Sequence, residues 1–231
     1  TPEPTSKKTV EPAPKKAAAG AITGTINYRG DKIAATPVDM ASDPFCVGAH
    51  EGGFDRTLVV VGDAGGLKDV FVQLTDGVPD ERYKAPDEPV ELDQHGCTYT
   101  PHVFGIVKKQ DIKIINSDET LHNIPAVPRS NKEFNVGMPN KGMTIEKTFK
   151  KAEDAIHIKC DVHPWMSTWC FAMEHPYFGV TDAAGNVSIA TGELPDGEYG
   201  VKVWHEVLGE STGKVEVKDG KGEFKLTLGG E

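Results

Sequence analysis

Three side chains that bind soft metals stand on one short segment, Cys160-Asp161-Val162-His163-Pro164-Trp165-Met166. The run before it, Ala155-Ile156-His157-Ile158-Lys159, reads as a strand ending at the cysteine. One thiolate, one imidazole and one thioether therefore share a tight turn. Sulfur and imidazole donors suit copper, whereas magnesium and calcium want oxygen. Zinc accepts Cys and His, but Met is a poor zinc ligand. A Cys/His/His set with a weak axial Met is the arrangement of blue-copper electron-transfer sites, so the pattern requires a second histidine from elsewhere. His122 supplies it, in Asn116-Ser117-Asp118-Glu119-Thr120-Leu121-His122-Asn123, a segment that closes a strand-like run at 111–115.

Clamping the metal between two separate segments would keep the site rigid across a change of oxidation state, with Met166 tuning its potential. Asn116 and Asn123 are candidates for hydrogen bonds that tie the two ligand segments together. The ring edge of His163 is expected to be the electron port, ringed by an apolar docking patch of Pro164 and Trp165, which suffices for a transient redox encounter. Other copper classes fit less well. A dinuclear centre needs a second cysteine close to Cys160, and 161–165 contains none. A multicopper oxidase needs paired histidines, and no His-x-His occurs. No Ser/His/Asp elbow or phosphate-binding glycine loop stands out, so the chain is read as a non-enzyme.

Strands must position these ligands. The 231 residues include 25 glycines and 16 prolines, and the apolar runs are short and bounded by turn signals, which points to an all-β protein. That length fits one large β domain or two small ones. Strands are expected at 22–28, 58–61, 70–74, 90–92, 103–107, 112–115, 144–149, 156–160, 169–173, 178–181, 187–189, 198–206, 213–217 and 222–228. Gly62-Asp63-Ala64-Gly65-Gly66 reads as a hairpin-type connection. Loops are expected at 36–55, 76–89 and 125–142, and no long helix anywhere. A net charge of −10 argues against nucleic acid, which needs clustered Lys and Arg, and would steer the chain towards basic partners at low ionic strength. No run is apolar for long enough to span a membrane.

Residues 1–19, rich in Pro, Lys and Ala, are expected to be a flexible tether; the readings are a spacer from a membrane anchor or an ordinary disordered terminus. A start at Thr1 rather than Met suggests a removed leader or a trimmed chain. Beyond the tether the chain divides into an N-terminal β segment (20–89), a metal-binding domain (90–175) and a C-terminal segment (176–231). With Cys160 assigned to metal, Cys46 and Cys97 sit in loops where a disulfide is plausible in an oxidising compartment. Free thiols remain the other option, and a site with His50 and His95 a third. Cys170, in an apolar strand, reads as a buried, inert thiol. His157 reads as a strand residue. His102, His175 and His205 could build a second metal site with Glu206, or be structural histidines with satisfied hydrogen bonds.

The combination of Asn116, His122-Asn123 and Cys160-x-x-His163-x-x-Met166 resembles the cupredoxins across about 90–175. The short loop with Pro after the histidine resembles that of the amicyanins; plastocyanins have a longer gap to the methionine. The resemblance implies a Greek-key β-sandwich and one type 1 copper held by His122, Cys160, His163 and Met166. Gly179-Val180-Thr181, Gly185-Asn186-Val187-Ser188-Ile189 and Leu194-Pro195-Asp196-Gly197-Glu198-Tyr199 resemble the carboxypeptidase regulatory-like, transthyretin-like β-sandwich. Residues 20–28 could supply a first strand to that second sandwich. The expected function is extracytoplasmic electron transfer, in the periplasm or at the cell surface, with lipid anchoring as one route of attachment. Expected partners are redox proteins such as c-type cytochromes, or a membrane respiratory or photosynthetic complex, and no nucleic acid. The alternatives are a copper-binding or storage protein and a structural subunit of an electron-transfer assembly.

Overall fold

The computed structural model describes residues 20–230, so the expected tether lies outside the described residues. The described residues are all-β apart from one short helix. Its first elements are β1 (Ala21–Tyr28), β2 (Thr36–Val38), α1 (Pro44–Ala49), β3 (Phe54–Arg56) and β4 (Phe71–Leu74). Then follow β5 (Val90–His95), β6 (Thr98–Thr100), β7 (Val103–Val107), β8 (Asp111–Asn116), β9 (His122–Asn123), β10 (Gly137–Met138) and β11 (Thr144–Thr148). The last are β12 (Glu153–Lys159), β13 (Ser167–Met173), β14 (Phe178–Val180), β15 (Asn186–Ala190), β16 (Gly197–His205), β17 (Gly209–Val217) and β18 (Gly222–Leu228).

Alternation builds the first unit. In β8, Ile112 and Ile114 point inward while Asp111, Lys113 and Ile115 lie nearer solvent, the pattern of a strand with one buried face. The sheet β11-β8-β5-β6 lies over the sheet β12-β13-β7. Between them sit Leu92, Ile112 and Ile114 from one side and Phe104, Ile156, Ile158 and Cys170 from the other. Burying each such side chain contributes about 1.5–3 kcal/mol. β13 is apolar on both faces because it separates this core from a second one, which holds Phe171 and Met173.

The second unit pairs β15-β1-β18 with β14-β4-β16-β17 around Ile22, Ile26, Val72, Leu74, Val201, Val203, Val215 and Phe224. β1 is its central strand, antiparallel to β15 and parallel to β18, so the N-terminal strand does complete the C-terminal sandwich. The 20–89 segment thus divides its elements: β1 and β4 serve this unit, while Val38, Met40, Phe45, Cys46 and Phe54 pack on the first. The units meet where Phe71 of β4 stacks on Phe171 of β13 at 3.9 Å, with Trp204 of β16 edge-on to Phe171 at 5.1 Å. Gly105 of β7 lies beneath this seam, where a Cβ would come within 2.5 Å of the Phe178 ring.

Three expectations change, the first being that the expected 125–142 loop holds β10. Residues 58–61 are not a strand: one bridge, Val61 to Leu67, closes the Gly62–Gly66 turn, with the Gly62 N–H donating to the Gly66 carbonyl at 2.8 Å. The run is apolar because it crosses between the units, and only Val59 is fully buried. The expected 36–55 loop instead holds β2, α1 and the start of β3, with β2 paired antiparallel to β3. Asp43 caps α1, its Oδ1 accepting the N–H groups of Phe45 (2.8 Å) and Cys46 (3.3 Å), and Pro44 follows it at the first helical position.

Candidate metal centre

The end of β12 and the entry to β13 flank the 160–166 loop. The Cys160 N–H donates to the Met166 carbonyl at 3.1 Å and the Met166 N–H to the His163 carbonyl at 2.9 Å, which folds the loop back on itself. β9 brings His122 from the other side, paired with Met138 of β10. His122, Cys160, His163 and Met166 are all buried, none more than 2 % exposed. One nitrogen of each of the two rings and the Cys160 sulfur lie within 4.8 Å of one another. The two Nδ1 atoms are 2.9 Å apart and His163 Nδ1 is 4.0 Å from Cys160 Sγ. Met166 shares the same buried cluster as Cys160.

Both asparagines brace this arrangement. Asn123 Oδ1 accepts the Asp161 N–H at 2.7 Å and lies 3.4 Å from Cys160 Sγ, linking the His122 segment to the 160–166 loop. Asn116 Nδ2 donates to the carbonyls of Thr120 (3.0 Å) and Met138 (2.7 Å), which shapes the segment carrying His122. The Tyr99 hydroxyl adds a further tie, reaching the carbonyls of Asn123 at 3.2 Å and Lys159 at 3.0 Å.

Behind the two imidazoles stand two carboxylates that the sequence did not single out. Asp118 Oδ2 lies 2.9 Å from His122 Nε2, and Asp43 Oδ2 lies 3.0 Å from His163 Nε2. Asp118 also accepts the N–H groups of Gly96 (2.7 Å) and Cys97 (2.8 Å). Gly96 and Cys97 form the two-residue β5–β6 turn with φ of 59° and 53°, a left-handed pair that suits a hairpin and aims both N–H groups at Asp118. The Asp118 N–H in turn donates to Asn116 Oδ1 at 2.9 Å, an Asx turn that sets its position. Asp43 accepts the Thr120 hydroxyl at 2.6 Å as well as its helix-cap bonds. Two signals were present in the sequence: Asp43-Pro44 is a helix start, and Asp118 stands four residues before His122.

The electrostatics follow from these contacts. Burial pushes the His122 pKa down, but Asp118 and the Cys160 sulfur outweigh it and raise it to about 9. Burial pushes the Cys160 thiol up, yet hydrogen bonds from His122 and His163 bring it down to about 6. Both carboxylates lie below their ordinary range: burial opposes this, but for Asp118 the His122 and turn N–H bonds prevail, and for Asp43 those of Thr120 and His163. A thiolate facing two imidazoles is a donor set that fits a soft or borderline metal ion.

Other expected residues fall elsewhere. His163 is 1 % exposed, so its ring edge is not a surface port; the α1 segment covers it through Asp43. Pro164 is exposed, while Trp165 is half-buried and donates from Nε1 to the Cys97 carbonyl at 3.0 Å. Cys46 and Cys97 form a disulfide, which leaves no site with His50 and His95. Cys170 is buried with its thiol pushed well up by desolvation. His102 bonds Glu206 and the Ser167 carbonyl, His175 Nδ1 accepts the Tyr177 N–H, and His205 Nδ1 accepts the Val207 N–H. These histidines are satisfied separately, and among the described residues they join no group of three close ligands. His157 stacks on Trp169 at 4.2 Å.

No protein-family model and no curated protein matches this chain. Among solved structures it is similar to a copper-containing nitrite reductase (NirK) from Thermus scotoductus, at 19 % identity and a TM-score of 0.36, over 42 % of this chain and 25 % of that one. A purple cupredoxin from Nitrosopumilus maritimus is 20 % identical with a TM-score of 0.31, over 36 % of this chain and 98 % of its own. A variant of amicyanin is 17 % identical with a TM-score of 0.33, over 44 % of this chain and 97 % of its own. The chain thus spans a quarter of the reductase it matches. At these identities and TM-scores the likeness carries no argument, and the reading of the fold and of the site rests on the chain's own geometry.

Proposed function

We propose that the chain is an extracytoplasmic blue-copper electron carrier, with one type 1 copper held by His122, Cys160, His163 and Met166. The observation that carries this reading is the convergence of a buried, acidified thiol with two imidazoles in one braced pocket. Copper there would supply a one-electron couple. The protein's part is to hold a thiolate at Cys160 Sγ, fix the rings and exclude water. The Cys46–Cys97 disulfide supports an oxidising compartment. No described helix is long and apolar enough to cross a membrane, and attachment through residues 1–19 is part of the proposal. Partners would be one-electron proteins such as c-type cytochromes or a membrane redox complex, with the second unit read as a carboxypeptidase regulatory-like module.

The covered edge of His163 favours one second reading, copper binding or storage without rapid turnover. Voltammetry of the copper-loaded protein separates the two. A reversible one-electron wave, absent from Cys160→Ser, supports the carrier; bound copper without such a wave supports storage.

A further inference from the structure

Both histidines of the metal centre are held from behind by the same device. On one side the chain of contacts runs from His163 Nε2 to Asp43 (3.0 Å) and from Asp43 to the Cys46 N–H (3.3 Å). On the other it runs from His122 Nε2 to Asp118 (2.9 Å) and from Asp118 to the Cys97 N–H (2.8 Å). Cys46 and Cys97 are joined to each other by their disulfide. The two half-cystines therefore sit at the backs of two carboxylates that each grip one imidazole. Thr120, bonded to Asp43 at 2.6 Å, links the α1 segment to the segment carrying His122.

We infer that Asp43 and Asp118 are positioning residues of the metal centre and that the Cys46–Cys97 disulfide couples them into one yoke. The inference rests on the metal-binding reading above. Its chemistry is general: a carboxylate accepting the Nε2 proton leaves the lone pair at Nδ1, orients the ring and makes it a stronger donor. Nδ1 is the atom each ring turns towards the other and, in His163, towards Cys160. A negative charge behind each ring also favours the more highly charged ion, so the yoke holds Cu(II) more strongly than Cu(I) relative to a site without it. The Asp43 arm comes from the segment at 36–56, outside the two sheets of the copper-binding unit, which makes that segment part of the centre.

The test is competition titration of the metal-free full chain with Cu(II), Cu(I) and redox-inert Zn(II) against chromophoric chelators. Asp118→Asn and Asp43→Asn keep size, and Asn caps a helix as well as Asp does, so α1 should persist in the second. Each is expected to weaken Cu(II) and Zn(II) by 10–100-fold, the usual effect of losing such a partner, and Cu(I) by less. Cys46→Ala/Cys97→Ala is expected to lower Cu(II) affinity likewise, and to make the two Asn substitutions additive where the parent shows coupling. Folded Asn variants with the parent's affinities and Cu(II)/Cu(I) ratio would overturn the inference while leaving the metal-binding reading intact. A parent that binds none of the three ions would overturn both.

Discussion

Burial ordinarily keeps a cysteine protonated, and Cys170 behaves that way, its thiol pushed well up by desolvation. Cys160 is buried too, but the two histidines bring its thiol down to about 6. In the metal-free protein, where Cys160 is only 2 % exposed, the ultraviolet absorbance of a thiolate should therefore grow in through about pH 6 and be missing from Cys160→Ser. A thiolate absorbance that rises only above about pH 8, or that survives the substitution, would refute this assignment. That Cys160, His163 and His122 come together was legible in the sequence, because sulfur and imidazole recur on so short a spacing at 160–166 and a histidine closes the strand-like run at 111–115. Asp43 and Asp118 were not, because the chain has 35 acidic residues and sequence does not say which of them folding will bury.

Long elements were readable where alternation persists, as in β1, β8 and β12, and unreadable where they are short. β2, β3, β9 and β10 have two or three residues each, too few for a period to show, and α1 has six. Their order comes from tertiary bonds. The disulfide, closing residues 51 apart, stabilises the α1 segment against the β5–β6 turn by about 4 kcal/mol on loop-entropy grounds. The long connection after β9 is held similarly by Glu153 at the start of β12. Its carboxylate accepts the N–H groups of Arg129, Ser130 (2.9 Å) and Asn131 (3.2 Å) and lies below its ordinary range, because these bonds outweigh burial. A depressed carboxylate adds stability that is present above its unfolded value of 4.5 and is lost as pH falls through the folded value. Glu153→Gln should cost about 1–3 kcal/mol at pH 7 in urea unfolding. That difference should shrink below pH 4.5, the unfolded value, and a pH-independent difference would contradict the assignment.

At the scale of the molecule, an all-β chain with an N-terminal strand completing a C-terminal sandwich was expected and is found. How the units join was not legible, since Phe71, Phe171 and Trp204 are far apart in sequence and only pairing brings them together. Phe71→Ala should cost about 3–5 kcal/mol and split one calorimetric transition into two, while a single unchanged transition would deny the seam this role. The arrangement also places the candidate metal centre between the first sandwich and the α1 segment. The proposal that this buried centre holds copper through a cysteine thiolate is decided by the visible absorption spectrum of the oxidised, copper-loaded protein. An intense charge-transfer band is expected in the parent and should vanish in Cys160→Ser. Stoichiometric Cu(II) bound without colour, or colour that survives the substitution, would contradict it.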